Sequence, residues 1–240
     1  MKSVKEMTGS IKKTSRKEKN VTLEQKLNTL RAGVLGSNDG ILTVVGVLFS
    51  VAVATTNKFT IFIAGLADLL ACAFSMASGE YASVSTQKDT EKAVVQQEKK
   101  LLKDNYAREL QIVAEYYKTQ GITYETSLAI ARELMENKPL ETVTDVKYNL
   151  KLGQYVNPWN AAAASLISAI LGGVLPLAAM TLSPEVYKWQ ATIFAVCISV
   201  SITGYLSAKL GNGLVKISIL RNLAVGILTM IIHYCVGILL

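Results

Sequence analysis

Histidine occurs once in the 240 residues, at His233, and cysteine three times, at Cys72, Cys197 and Cys235. No two cysteines stand as a CxxC pair and all three lie in apolar stretches, which leaves no disulfide framework and no cysteine metal motif. There is no nucleophile beside a base and no glycine-rich phosphate loop, so an enzyme finds little support and no cofactor is called for. No short apolar segment with a small-residue cleavage site follows the basic start, which speaks against a signal peptide. Lysine and arginine are missing from the long apolar runs, and the carboxylates there are left without an obvious counter-charge.

What is present is apolar length. Half of the residues are hydrophobic, the mean hydropathy is +0.32, and stretches 33–57, 59–79, 159–184, 189–208 and 222–240 stand out. Each is near or above the roughly 18 residues that a spanning helix needs. The reading is an all-α membrane protein with five transmembrane helices and a three-helix cytoplasmic domain inserted between helices 2 and 3. Residues 1–21 form a basic tail expected to be disordered, 22–81 an interfacial helix and the first two spans, 82–158 the cytoplasmic domain, and 159–240 the last three spans.

Of the formal charge of +7, residues 1–31 contribute +6, with nine basic groups against three acidic ones. Beside a membrane span such a tail sets topology and touches anionic lipid, and nucleic acid is not expected as a partner. The N-terminus is therefore expected in the cytoplasm. Lys209, Lys216 and Arg221, between spans four and five, agree with that orientation and put the C-terminus outside.

In the segment 82–158, Val94, Leu101, Leu102, Leu110, Val113, Ala114 and Tyr117 recur near helical spacing until Gly121. A second helix is expected over about 123–137 and a third over about 140–152, stopped by Gly153. Eleven basic and eleven acidic residues cancel here. Glu91, Glu98 and Glu109 are spaced by nearly whole turns and are expected on one face of one long helix, where a solvated row of charges is the favoured explanation over a ligand set.

The carboxylates of the membrane part carry more. Asp39 lies about 12 Å along its helix from Arg31, within the hydrocarbon zone. Asp68 is the only charged residue between Phe59 and Gly79. An ionisable group at that depth costs at least ~2.5 kcal/mol and usually faces a pathway or a partner. Asp68, Cys72 and Met76 follow at i, i+4 and i+8, so a carboxylate, a thiol and a thioether share one helix face and suit a transition metal better than Mg²⁺ or Ca²⁺. Packing explains the two sulfurs as well. Glu80, about 18 Å beyond Asp68, is expected at the cytoplasmic mouth. In the third span, Gly172-Gly173 and Pro176 read either as a break lining a cavity or as close packing. His233, with Gly237 four residues on, reads as a packed, hydrogen-bonded histidine.

Arg31-Ala-Gly-Val-Leu-Gly-Ser-Asn-Asp39-Gly40, the block Ser75-Met76-Ala77-Ser78-Gly79-Glu80-Tyr81-Ala82-Ser83-Val84 with Gln87-Lys88-Asp89, and Gly172-Gly173-Val174-Leu175-Pro176-Leu177 resemble the vacuolar iron transporter family. The resemblance implies a homodimer of five-span subunits exporting Fe²⁺, and often Mn²⁺, in exchange for protons. It also implies that Asp39, Asp68 and Met76 line the path at the dimer interface. Members with a metal-collecting domain carry glutamates at the positions of Glu98, Leu101, Glu109, Ile112 and Lys151, and only Glu98 and Glu109 remain here.

The expected function is divalent transition-metal transport, with Asp39, Asp68, Met76, Glu80, Glu98 and Glu109 as the metal-contacting residues. Metal ions, protons, lipid and a second copy of the chain are the partners. The host is the plasma membrane of a prokaryote or the vacuolar membrane of a eukaryote. The rival is a non-transporting scaffold or regulatory homologue in which Asp39 and Asp68 only hydrogen-bond neighbouring helices.

Overall fold

The computed structural model describes residues 23–239, and the basic tail assigned to 1–21 lies outside them. Eight helices and no strand occur among the described residues. They are α1 (Leu23–Ala54), α2 (Lys58–Asp104), α3 (Tyr106–Thr119), α4 (Tyr124–Asn137), α5 (Pro139–Tyr148), α6 (Pro158–Leu182), α7 (Lys188–Leu210) and α8 (Val215–Leu239). Five of them, α1, α2, α6, α7 and α8, are long and apolar enough to cross a membrane.

α1 is the central helix, packed against α2, α6, α7 and α8. Its Ile41, Val44, Val45 and Leu48 are fully buried and meet Leu69 of α2 and Val196 of α7. The contact with α6 is made backbone to backbone. At Gly40 a methyl group would overlap the carbonyl oxygen of Ala169, and at Gly173 a Cβ would stand 2.6 Å from the Gly40 carbonyl oxygen. Small residues permit this approach, which dispersion and weak polar contacts then stabilise without help from water. α6 runs unbroken through Gly172, Gly173 and Pro176, so of the two readings of this stretch close packing is the one that holds.

Among the described residues, no separate interfacial helix precedes the first span. Residues from Leu23 onward are continuous with it as α1, because nothing between Leu27 and Gly33 stops a helix. α2 likewise does not end at the membrane. Its 47 residues extend about 70 Å, against an apolar bilayer core of about 30 Å, so one rod carries the span and projects beyond it. Asn57 opens that rod, its side-chain oxygen accepting from the backbone N–H of Phe59 at 3.0 Å and Thr60 at 3.1 Å.

The projecting end of α2 packs against α3 and α5, and α3, α4 and α5 enclose a second core of Val113, Ala114, Ala131, Met135 and Val143. The long helix expected to reach Gly121 is two helices. Asn105 leaves the helical conformation and its side chain caps α3 by accepting from Arg108 N–H at 3.1 Å. Glu91, Glu98 and Glu109 consequently do not lie on one helix, and Glu91 is engaged with Gln87 at 2.9 Å. The last short helix stops at Tyr148 rather than near Leu152, because Asn149 takes the left-handed conformation with φ 52°.

Candidate functional site

The close packing of Gly40 against α6 fixes the rotation of α1 and with it the place of Asp39 one residue earlier. On α2, Leu69 packs into the same junction, since a Cβ at Gly173 would lie 2.6 Å from its Cδ1. Asp68 is thereby carried to the α1 side. The Cys72 thiol donates to Asp39 Oδ2 at 3.5 Å, and the Thr43 hydroxyl, which donates to the Asp39 carbonyl at 3.0 Å, neighbours both Asp68 and Cys72. Two helices thus bring two carboxylates, a thiol and a hydroxyl to one level of the bundle.

Asp68 is the group left incomplete. Its Oδ2 is buried and has no hydrogen-bond partner among the described residues. A carboxylate oxygen held out of water with no donor is expensive, and a proton or a cation is what relieves it. Met76 lies two turns further along α2, half-buried. Among the described residues, no three His, Cys, Asp or Glu side chains gather closely enough to hold a metal ion.

His233 joins this region, which its isolation in the sequence did not announce. Its ring lies against α1 so closely that a Cβ at Gly46 would be 2.7 Å from Nε2, and it neighbours Asp68. The neighbourhood of Thr43 was equally illegible, because a threonine in an apolar run carries no pattern of its own.

Glu80 departs from the expectation of an uncompensated carboxylate. Arg31 Nη2 stands 3.5 Å from its Oε2 and the Glu80 side chain is only 10% exposed. A count confined to the apolar stretches misses Arg31, which α1 carries across 49 positions of sequence.

A family model described as the VIT family matches residues 30–238, nearly all of the described chain. The chain belongs to the VIT family. It is 32% identical over 213 residues to "Vacuolar iron transporter" of Acanthamoeba castellanii, covering 88% of this chain and 78% of that protein. It is 30% identical to "Vacuolar iron transporter homolog 3" of Arabidopsis thaliana, covering 90% and 86%, and 31% identical to "Vacuolar iron transporter homolog 1" of Oryza sativa, covering 85% and 71%. These relatives are named as transporters and not as enzymes.

This VIT-family chain holds a second polar cluster, outside the bundle. Glu98 of α2 and Glu109 of α3 are brought together, and Lys147 of α5 stands between them. Its Nζ donates to both oxygens of Glu98 at 2.8 and 2.9 Å and to Glu109 Oε2 at 3.1 Å. The Tyr148 hydroxyl adds a hydrogen bond to Glu98 Oε1 at 2.9 Å. Burial alone lowers the affinity of the lysine for its proton, yet the bonds to Glu98 and Glu109 prevail and its pKa is raised. The bond to Glu98 is also the main reason that the Tyr148 hydroxyl keeps its proton above the ordinary range.

Proposed function

We propose that the chain moves a divalent transition metal, Fe²⁺ or Mn²⁺, out of the cytoplasm in exchange for protons, as a homodimer whose membrane site combines Asp39, Asp68 and Met76 from both copies. The observation that carries this reading is the buried, partnerless oxygen of Asp68 within reach of Asp39. Each chain contributes an incomplete donor set, and a two-fold axis doubles it. The printed names of the relatives support iron as the cargo.

Exchange follows from competition for the same oxygens. Carboxylates in a water-poor site bind either protons or a dication, and metal binding releases protons. Met76 supplies a soft thioether, which disfavours Mg²⁺ and Ca²⁺. Glu80, held by Arg31, stands at the end of the span where metal enters, with the N-terminus and the segment 82–158 on the cytoplasmic side. The host membrane is vacuolar in a eukaryote and the plasma membrane in a prokaryote.

The test is metal flux into proteoliposomes under an imposed pH gradient, with wild type, Asp39→Asn and Asp68→Asn. Flux of Fe²⁺ or Mn²⁺ that both substitutions abolish, with proton movement in the opposite direction in wild type, is the expected result. Folded wild type that passes no metal would overturn it and leave the scaffold reading in its place.

A further inference from the structure

The buried cluster outside the membrane bundle has all the marks of a cation site except a vacancy. Glu98 is inaccessible, the Glu109 side chain is 3% exposed, and both are held by one ammonium whose own side chain is 19% exposed. An ammonium has three N–H donors, and the three contacts to Glu98 Oε1, Glu98 Oε2 and Glu109 Oε2 use all of them. Tyr148 occupies a further lone pair of Glu98. The four side chains come from α2, α3 and α5, so the cluster ties together three of the four helices that build this part of the protein.

A metal ion does not fit these residues. To bind one, Glu98 and Glu109 would have to leave Lys147, which would then be a buried positive charge facing a dication. Of the other three positions in the glutamate set, Leu101 and Ile112 present hydrocarbon and Lys151 a second positive charge. Hard divalent ions take six or more oxygen donors, and two carboxylates already shared with an ammonium fall well short.

We infer that Lys147 is the resident cation of this cluster, a charge supplied by the chain itself, so that α2, α3 and α5 are held in place without metal and no divalent ion is taken up there. A lysine is charged throughout the physiological range, and the three hydrogen bonds to carboxylate oxygens hold that charge in place. Metal reaching the membrane carboxylates then bypasses the cluster, and its supply does not loosen or tighten these helices. The inference concerns residues remote in sequence from Asp39 and Asp68 and does not depend on transport.

The experiment counts bound Mn²⁺ per chain, from the free-ion paramagnetic resonance signal, on the full-length protein in detergent. It compares wild type with the triple substitution Glu98→Gln/Glu109→Gln/Lys147→Met, which removes the three charges together and keeps the volume. The same count in both is expected, whatever the membrane site contributes. A wild-type Mn²⁺ ion lost in the triple variant would overturn the inference. Melting without metal supplies the second readout: Lys147→Met, which leaves two buried carboxylates without a counter-charge, is expected to melt several degrees below wild type and below the triple variant. A Lys147→Met protein that melts with wild type would equally overturn it.

Discussion

The thiol of Cys72 on α2 meets Oδ2 of Asp39 on α1 at 3.5 Å, joining the two helices at the level where Oδ2 of Asp68 is left without a hydrogen-bond partner. In the proposed metal site, a sulfur beside two carboxylates adds a soft donor to a set otherwise hard at this level. Cys72→Ala is therefore expected to spare Mn²⁺ flux while weakening competition by Zn²⁺ or Cd²⁺ about tenfold, the lower end of what losing a supporting group costs a metal site. Inhibition of Mn²⁺ flux by graded Cd²⁺ in proteoliposomes reads this directly. Equal loss for all metals would make Cys72 a packing residue.

Glycine positions provide a stability test with its own control. Gly40→Ala and Gly173→Ala place a methyl into the backbone or side chains of a facing helix, and overpacking of this kind costs about 1–3 kcal/mol. Gly33 and Gly79 have nothing within 4 Å of an added Cβ. Alanine there removes backbone freedom from the unfolded chain and is expected to leave melting unchanged or slightly raised. Thermal melts of the four purified single variants should separate into these two pairs.

Alkaline stability should follow the soluble cluster. Lys147 and Tyr148 both have raised pKa values, from ordinary values of 10.5 and 10.0. The lysine is charged in the folded and unfolded states below its unfolded value, so the stabilisation from Glu98 and Glu109 is complete there and is lost as pH rises through the higher folded value. Ionising Tyr148 against Glu98 acts in the same direction over the same range. Melting temperature is thus expected to be insensitive to these two groups from pH 7 to about 9.5 and to fall above about 10. In Lys147→Met the alkaline fall should be shallower.

The membrane helices were legible because a run of some 18 apolar residues has few other fates. Asp68 was legible for the converse reason, a charge where none is cheap. Helix ends were harder. At Gly79 to Ala82 the composition turns polar while the backbone hydrogen bonding of α2 simply continues, so a composition boundary marked a change of solvent and not of structure. At Asn105 the reverse holds: the helix breaks where no glycine or proline signals it, and only the cap to Arg108 N–H gives the break its reason. Lys147 was invisible for a third reason. It meets glutamates 38 and 49 residues away, and no local pattern encodes a contact made by the folding of three helices on one another.

Arg31 and Glu80 supply the last test, because their pairing joins the start of α1 to the end of the α2 span at the expected metal entrance. Arg31 is more than half exposed and the single contact is 3.5 Å long, so its net worth belongs with surface pairs at about 0–1 kcal/mol. Glu80 is nearly buried, and Glu80→Arg puts two positive charges against each other at the proposed metal entrance. That substitution alone is expected to depress metal flux more than it depresses melting. Adding Arg31→Glu restores opposite charges with the order reversed and is expected to recover melting fully. Flux distinguishes the two roles of Glu80: recovery in the exchanged pair means that the contact between the helices is what transport needs, whereas persistent loss with normal melting means that the carboxylate itself must stand on α2 to receive the ion.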